Sequence, residues 1–409
     1  MSGEAPVKSI LELSAFDPVA KADPHARLTP LREQCPVWRD ETTKSWFVSR
    51  YADVRGVVND RTMWRSGERA EAGSFSRFLL DESRLHEPPG ERQSILTMDD
   101  PDHARIRNPL AKAFYARVAK SRPKIDRIVS DVLDSVADKP AFDLIGDVAI
   151  PIPIITIARI LGVDDQRLSE FRDWSEGVIL GLNPVRTPDE TAHMERSQIA
   201  MTDYFTVLMA ARRIKAEDDL VSDMVQLQAE GAPLNDVEIR TNLLALLVGG
   251  NLTTTDLIGN GVRLFLLNPD QKAKLVAEPS LVPQAVEEIL RYEGPVDITA
   301  RVMPEDREIG GCPMKQTESL VMSLRGGNRD PDVFADPDRF DITRKGTPHL
   351  SFGGGAHICI GAPLARMEAA SFFSTFFQRF PTLRIAEDGE PQWRALPFFR
   401  GLERFNVAV

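Results

Sequence analysis

Residues 235–267 read as one long helix, and that helix limits what the rest of the chain can build around it. Asn235 stands at the start with Glu238 three residues on, the spacing of a reciprocal capping box, and an apolar pattern then runs to about Leu267. At 1.5 Å per residue the helix spans on the order of 48 Å, enough to cross a whole domain. Its middle holds Gly249-Gly250 and then Thr253, Thr254 and Thr255, which are poor helix formers. One reading is close packing against the glycines, with threonine hydroxyls bonded to carbonyls a turn earlier. The other is a widened turn that opens a groove for a small ligand.

Helical periodicity dominates elsewhere. Ile125, Ile128, Val129, Val132, Leu133 and Val136 form a core-facing stripe, and similar patterns fill most of 104–293. Strand signals are short. "PVWRD" and "SWFVS" flank "ETTK" as a hairpin would, and "ESLVMSL" reads as a buried strand. The expected class is therefore mostly α with small β-sheets (α+β), in a single domain over 1–409, because no repeat or linker divides the chain.

With 42% hydrophobic residues, 409 residues bury a large core without crosslinks. The three cysteines, Cys35, Cys312 and Cys359, make no disulfide framework and suit a reducing compartment, so a cytoplasmic protein is expected. The opening residues do not read as a secretory leader, and no window approaches the ~20 uninterrupted apolar residues of a membrane span. The best candidate, "VAIPIPIITIARILGV", holds two prolines and Arg159 and reads as a buried helix. A net charge of −11 argues against a general nucleic-acid binder.

Cys359 stands in "FGGGAHICIG" just before a helix start. There the helix dipole favours a thiolate, and the glycines let backbone N–H groups approach the sulfur. Without a CxxC partner this is a poor zinc site, and without Lys-Ser/Thr it is no P-loop. A buried structural cysteine is the plain alternative.

The stretch Phe352–Gly361 resembles the Phe-Gly-x-Gly-x-His-x-Cys-x-Gly loop of the cytochrome P450 superfamily at every specified position. Further resemblances follow the same order along the chain. They are the Glu-x-x-Arg signature at Glu288 and Arg291, then "NRDP" and "FADPDRF", His103 and Arg107 in "DDPDHARIRNPLAKAF", and Arg301 in "PVDITARV". The resemblance implies a P450 fold, with haem b between the long central helix and the cysteine-loop helix. It implies Cys359 as axial thiolate and sole metal ligand. Phe352 and Gly361 would shape the loop, while His103, Arg107, Arg301 and His357 would partner the propionates. Glu288 and Arg291 would be structural. The implied pocket includes Ala245, Gly249, Val296, Ile298, Leu396 and Phe398, together with a loop from about Glu68 to Leu96. Its apolar lining predicts a hydrophobic small-molecule substrate.

One position departs from the family pattern. Where an acid normally precedes the central threonine, this chain has Leu252. Thr253 keeps the threonine's role in oxygen activation, but leucine carries no proton. Asn251 and Asp256 are the candidates for an alternative water chain, so Thr253, Asn251 and Asp256 form the expected catalytic set. For Asp256 the competing expectation is that it faces a polar pocket or an arginine on another helix.

The resemblance implies a monooxygenase that hydroxylates or oxidatively dealkylates its substrate with O2. Electrons would come from a ferredoxin and its ferredoxin reductase, since the chain shows no flavin or iron–sulfur module. Arg105, Lys112, Arg117, Arg344 and Arg366 are candidate docking residues, and a monomer is expected. A nitric-oxide-reducing P450-like enzyme is the alternative chemistry, because that relative also lacks the acid while keeping the Asn and Thr. A non-catalytic haem ligand-binding protein is the third reading.

Overall fold

The structure is a computed structural model that describes residues 7–86, 94–183, 185–346 and 348–409. The chain forms two compact units. One gathers Met1–Glu82, Asp256–Cys359 and Phe377–Val409, and the other gathers Ser83–Thr255 and Ile360–Phe376. The long helix, Asp236–Leu267, contributes residues to both.

In the first unit the expected hairpin forms from strands Val37–Asp40 and Ser45–Val48, paired antiparallel with Val37 opposite Val48. Ser45–Val48 then runs parallel to Ser319–Ser323, which pairs antiparallel with Ile298–Val302. Every residue of Ser319–Ser323 is buried, which explains why its sequence is a continuous apolar run and not an alternation. The Val282–Glu293 helix packs beside this sheet's connections and buries both Glu288 and Arg291. Arg291 donates to the two Glu288 oxygens at 2.7 and 2.8 Å and to the Asn328 and Pro337 carbonyls at 2.9 Å each. An ion pair this buried is stabilised by those extra acceptors, and losing one partner leaves the other uncompensated.

The second unit is almost wholly helical. The stripe Ile125, Ile128, Val129, Val132 and Leu133 is buried along Arg122–Asp134. The apolar stretch 144–161 is the one candidate for a membrane span among the described residues, and 67% of it is buried within the protein. It makes a π-helical turn over Leu144–Ala149 and then the α-helix Pro151–Leu161. Its prolines fall in the first turn, where their missing N–H groups cost nothing, and the helix stops at Gly162 with φ 89°.

The capping box at the start of the long helix is formed in both directions. Glu238 N donates to Asn235 Oδ1, and Asn235 N donates to Glu238 Oε2, each at 2.8 Å. The helix then stays α-helical through Gly249-Gly250, so the widened turn is absent. The Thr253 hydroxyl instead donates to the Gly249 carbonyl at 2.7 Å. Part of the stretch expected as a loop over 68–96 is the helix Phe75–His86, while residues 87–93 lie outside the described residues.

Candidate active site

The first unit carries the cysteine loop. Gly353 and Gly355 take φ of 67° and 63°, a left-handed backbone that glycine adopts without strain. A Cβ on Gly355 would collide with the Val58 carbonyl, and the Gly355 N–H donates to Asn59 Oδ1 at 3.0 Å. The loop closes on itself where Cys359 N donates to the Phe352 carbonyl at 2.9 Å and Ile358 N to the Gly355 carbonyl at 3.3 Å. These bonds hold the Cys359 side chain exposed, which is unusual for a cysteine in a chain of this size. Phe352 and His357 are half-buried in the same loop. The Gly361 carbonyl accepts from Ala365 N at 3.0 Å, starting the helix Ala362–Arg379.

Arg301 lies buried on strand Ile298–Val302 and donates to the Ala300 carbonyl at 2.8 Å and Thr299 Oγ1 at 3.3 Å. Arg65 reaches the same two acceptors at 2.6 and 3.3 Å. Two guanidinium groups thus converge on the same two oxygens. No local spacing signals the convergence of Arg65 with Arg301.

Val296, Ile298, Leu396 and Phe398 belong to the same unit. The turn after Leu396 is stitched to the strand before Ile298: Asp297 N donates to the Phe398 carbonyl and Arg400 N to the Pro295 carbonyl, each at 2.9 Å. Ile298 and Phe398 pack on one core cluster containing Phe47, Phe75 and Val321.

The second unit carries the remaining candidates. His103 and Arg107 lie one turn apart on Asp102–Val118. Burial, with Arg107 close by, lowers the His103 pKa, so the imidazole is neutral at pH 7 and offers a hydrogen bond, not a full charge. Along the long helix Ala245, Gly249 and Thr253 form an accessible stripe at i, i+4 and i+8, while Leu246, Leu247, Leu252, Thr254 and Thr255 are buried. A Cβ on Gly249 would meet nothing within 4 Å, whereas one on Gly250 would touch Ile157 at 3.7 Å. The stripe leaves an accessible lane along the helix, of a kind that a flat, apolar group could lie on.

Two expected members of the catalytic set are engaged elsewhere. Asn251 is buried and donates from Nδ2 to Ser175 Oγ at 2.8 Å, while its Oδ1 has no hydrogen-bond partner. Asp256 is fully buried, and Arg394 Nη1 donates to its two oxygens at 2.9 and 3.1 Å. Burial raises the Asp256 pKa to about 6, with Arg394 opposing the shift. Leu252, 5% exposed, is packed in the core.

Sequence reasoning also missed Glu368 on the helix Ala362–Arg379, which is buried beside the hydroxyls of Thr156 and Thr254. Burial raises its pKa to about 8, and its Oε1 has no hydrogen-bond partner. The Thr156 hydroxyl proton is already given to the Ile152 carbonyl at 2.8 Å.

Within the first unit, an exposed thiol on a glycine loop and two converging arginines fit an iron porphyrin, and the comparisons with known proteins agree. The cytochrome P450 family model matches residues 186–395. Cytochrome P450 107B1 of Saccharopolyspora erythraea is 38% identical over 99% of this chain and 98% of its own length. This chain belongs to the cytochrome P450 family. The P450 fold is shared with 6-deoxyerythronolide B hydroxylase of the same organism, 33% identical over 93% of this chain and 94% of that one. It is also shared with the crystal structure of P450BioI in complex with hexadec-9Z-enoic acid ligated acyl carrier protein. That structure has TM-score 0.85 and 32% identity, covering 95% of this chain and 98% of the other. The protein is accordingly a P450 monooxygenase that acts on small molecules with O2 and redox partners, and it uses haem b with a cysteine thiolate as axial ligand.

Proposed function

We propose that Cys359 supplies the haem thiolate and that the enzyme hydroxylates, or oxidatively dealkylates, a hydrophobic small molecule with electrons from a ferredoxin and its reductase. The observation carrying this reading is the cysteine loop, whose self-closed backbone presents Cys359 outward. His103, Arg107, Arg301 and His357 would hold the propionates, with Arg65 as an added partner. Bound there, haem supplies the oxidising chemistry.

The rest falls to the protein's own side chains. Thr253 has committed its proton to the Gly249 carbonyl, which leaves its oxygen to accept a hydrogen bond on the accessible side of the helix. Leu252 keeps the helix flank dry. Glu368 holds a proton at neutral pH beside Thr254, the neighbour of Thr253, and joins Asn251 as a candidate in the proton supply, whereas Asp256 is paired with Arg394. By the family resemblance, Val296, Ile298, Leu396 and Phe398 would be the apolar substrate contacts contributed by the first unit, and Ala245 and Gly249 those contributed by the second. Among relatives, one is named as a hydroxylase of 6-deoxyerythronolide B and one structure holds a hexadecenoic-acid-loaded carrier protein, which supports a hydrophobic substrate here. Matches along nearly all of residues 1–409 support one catalytic domain.

The docking surface needs revision from the sequence reading. Arg105 is paired with Glu238 at 2.6 Å, Arg117 with Asp218 and Asp223, and Arg344 with Glu288 at 3.2 Å. Of the five basic candidates, exposed Lys112 is better placed to meet an acidic ferredoxin.

The reduced protein under carbon monoxide tests the assignment: thiolate ligation gives a Soret band near ~450 nm, and Cys359→His abolishes it. A band near ~420 nm in fresh wild-type protein removes Cys359 as ligand. Turnover of nitric oxide with NADH alone, and of no organic compound with ferredoxin, would establish the nitric-oxide-reducing chemistry instead.

A further inference from the structure

The Asp256–Arg394 pair sits at the base of the turn that carries Leu396 and Phe398. Arg394 Nη1 bridges both Asp256 oxygens, its Nη2 donates to the Leu402 carbonyl at 3.2 Å, and its backbone N donates to the Gly401 carbonyl at 3.0 Å. One side chain therefore closes the two ends of the 394–402 segment on each other and fastens them to the long helix. Gly401 lets the backbone lie directly on the carboxylate, since a Cβ there would collide with Asp256. The turn needs such a hold, because Phe398 is kept at φ 61°, a left-handed conformation that bulky residues adopt only when their surroundings impose it.

The other side of the turn has its own restraint. Arg400 donates to Glu293 at 3.1 Å and stacks over Trp393, while Arg325 ties Glu293 to Asp297. The two restraints differ in kind. Glu293 is shared by several arginines, but Asp256 has Arg394 alone, with Asp297 a more distant like charge.

We infer that Asp256 and Arg394 are a positioning pair for substrate selection, holding the 394–402 turn so that Leu396 and Phe398 set how large a group the pocket admits. This rests on the reading that the turn lines the pocket. Neither residue touches the reacting atoms; both act through the turn. Because Asp256 titrates at about 6, mild acid removes the charge from the pair while Glu293 stays ionised; Asp297, the neighbouring carboxyl, is also raised by burial and is held by Arg325.

Hydrogen exchange read by mass spectrometry on the haem-loaded full chain tests the hold directly. At pH 7.5, peptides covering 394–402 should exchange roughly 10-fold faster in Asp256→Asn and in Arg394→Gln than in wild type, with the 282–293 helix unchanged. Wild type at pH 5.5, corrected for intrinsic rate, should move toward Asp256→Asn, which itself should not respond to pH. Haem titrations with imidazole and 4-phenylimidazole at pH 7.5 test the pocket. The small ligand should bind all three proteins equally, and the larger one should lose or gain about 10-fold in the variants as the wall shifts. Unchanged exchange in both variants overturns the hold itself. Faster exchange with an unchanged ratio of the two affinities overturns the selection role by showing that the turn does not line the pocket, so the two failures are told apart.

Discussion

Glu293, beneath the C-terminal turn, and Glu368, inside the Ala362–Arg379 helix, are both buried glutamates, yet they sit at opposite ends of the titration range. Burial opposes the charge on each. At Glu293 it is outweighed by Arg325, Arg400 and Arg329, and the pKa falls to about 2. At Glu368 only the hydroxyls of Thr156 and Thr254 oppose it, and the pKa rises to about 8. Asp256, with the single arginine Arg394, falls between them at about 6. The series shows that guanidinium partners, and not depth, decide whether a buried carboxyl here is a structural anion or a carried proton. It also separates roles, since Glu293 organises backbone while Glu368 keeps a proton near the threonine helix.

The harshest way to break the contrast is to remove the arginine that Glu293 and Asp297 share. Arg325→Met leaves two buried carboxyls short of their main cation and should cost about 3–5 kcal/mol in chemical denaturation at pH 7.5. A loss below about 1 kcal/mol, the scale of a surface pair, would mean that water already screens the cluster.

The pH arms of stability should have opposite signs. Glu293 is lowered from 4.5 to about 2, so its contribution is fully present above about 4.5 and is lost as pH falls through about 2. That arm is worth on the order of 3 kcal/mol and should vanish in Glu293→Gln. Glu368 is raised from 4.5 to about 8, so the unfolded chain gives up this proton first and stability declines as pH rises across that window. Wild type should therefore lose stability relative to Glu368→Gln between pH 5 and 8, as measured by urea midpoints. Parallel curves would place a hidden cation or water beside Glu368.

Glu368→Gln also sharpens the functional side of the comparison. If its proton is used, coupled turnover with any accepted substrate should slow by about 100-fold, peroxide should rise, and the solvent isotope effect should increase. Thr253→Ala should show the same diversion to peroxide at a cost of ~2.7–4 kcal/mol at the reacting centre. Normal coupling in Glu368→Gln would remove it from the proton supply and leave it as a neutral core residue.

The smallest effect concerns the paired glycines. Gly250→Ala meets Ile157 at an ordinary 3.7 Å and should stabilise the helix by about 0.5–1 kcal/mol. Gly249→Ala should give the same helical gain but project a methyl into the open lane. Haem content and ligand affinity should then change only in Gly249→Ala, and equal behaviour of the two variants would argue against the lane.

Much of this protein is determined locally, and that part is legible in the chain itself. The Asn235–Glu238 box, the 125–136 stripe, the 37–48 hairpin and the glycines before Cys359 each work through neighbours within a turn or two, where spacing dictates geometry. The same locality makes the long helix and the turn of the cysteine loop legible from spacing alone. The fate of the ionisable groups was decided only by tertiary structure. Arg394 lies 138 residues from Asp256, and Thr299 lies 234 from Arg65. Asn251 meets Ser175 across 76 residues, and Glu368 meets threonines from two other helices. Periodicity says which face of a helix is buried but not what it is buried against. For a carboxyl or a guanidinium, whose charge survives burial only with a partner, the identity of that neighbour sets the chemistry.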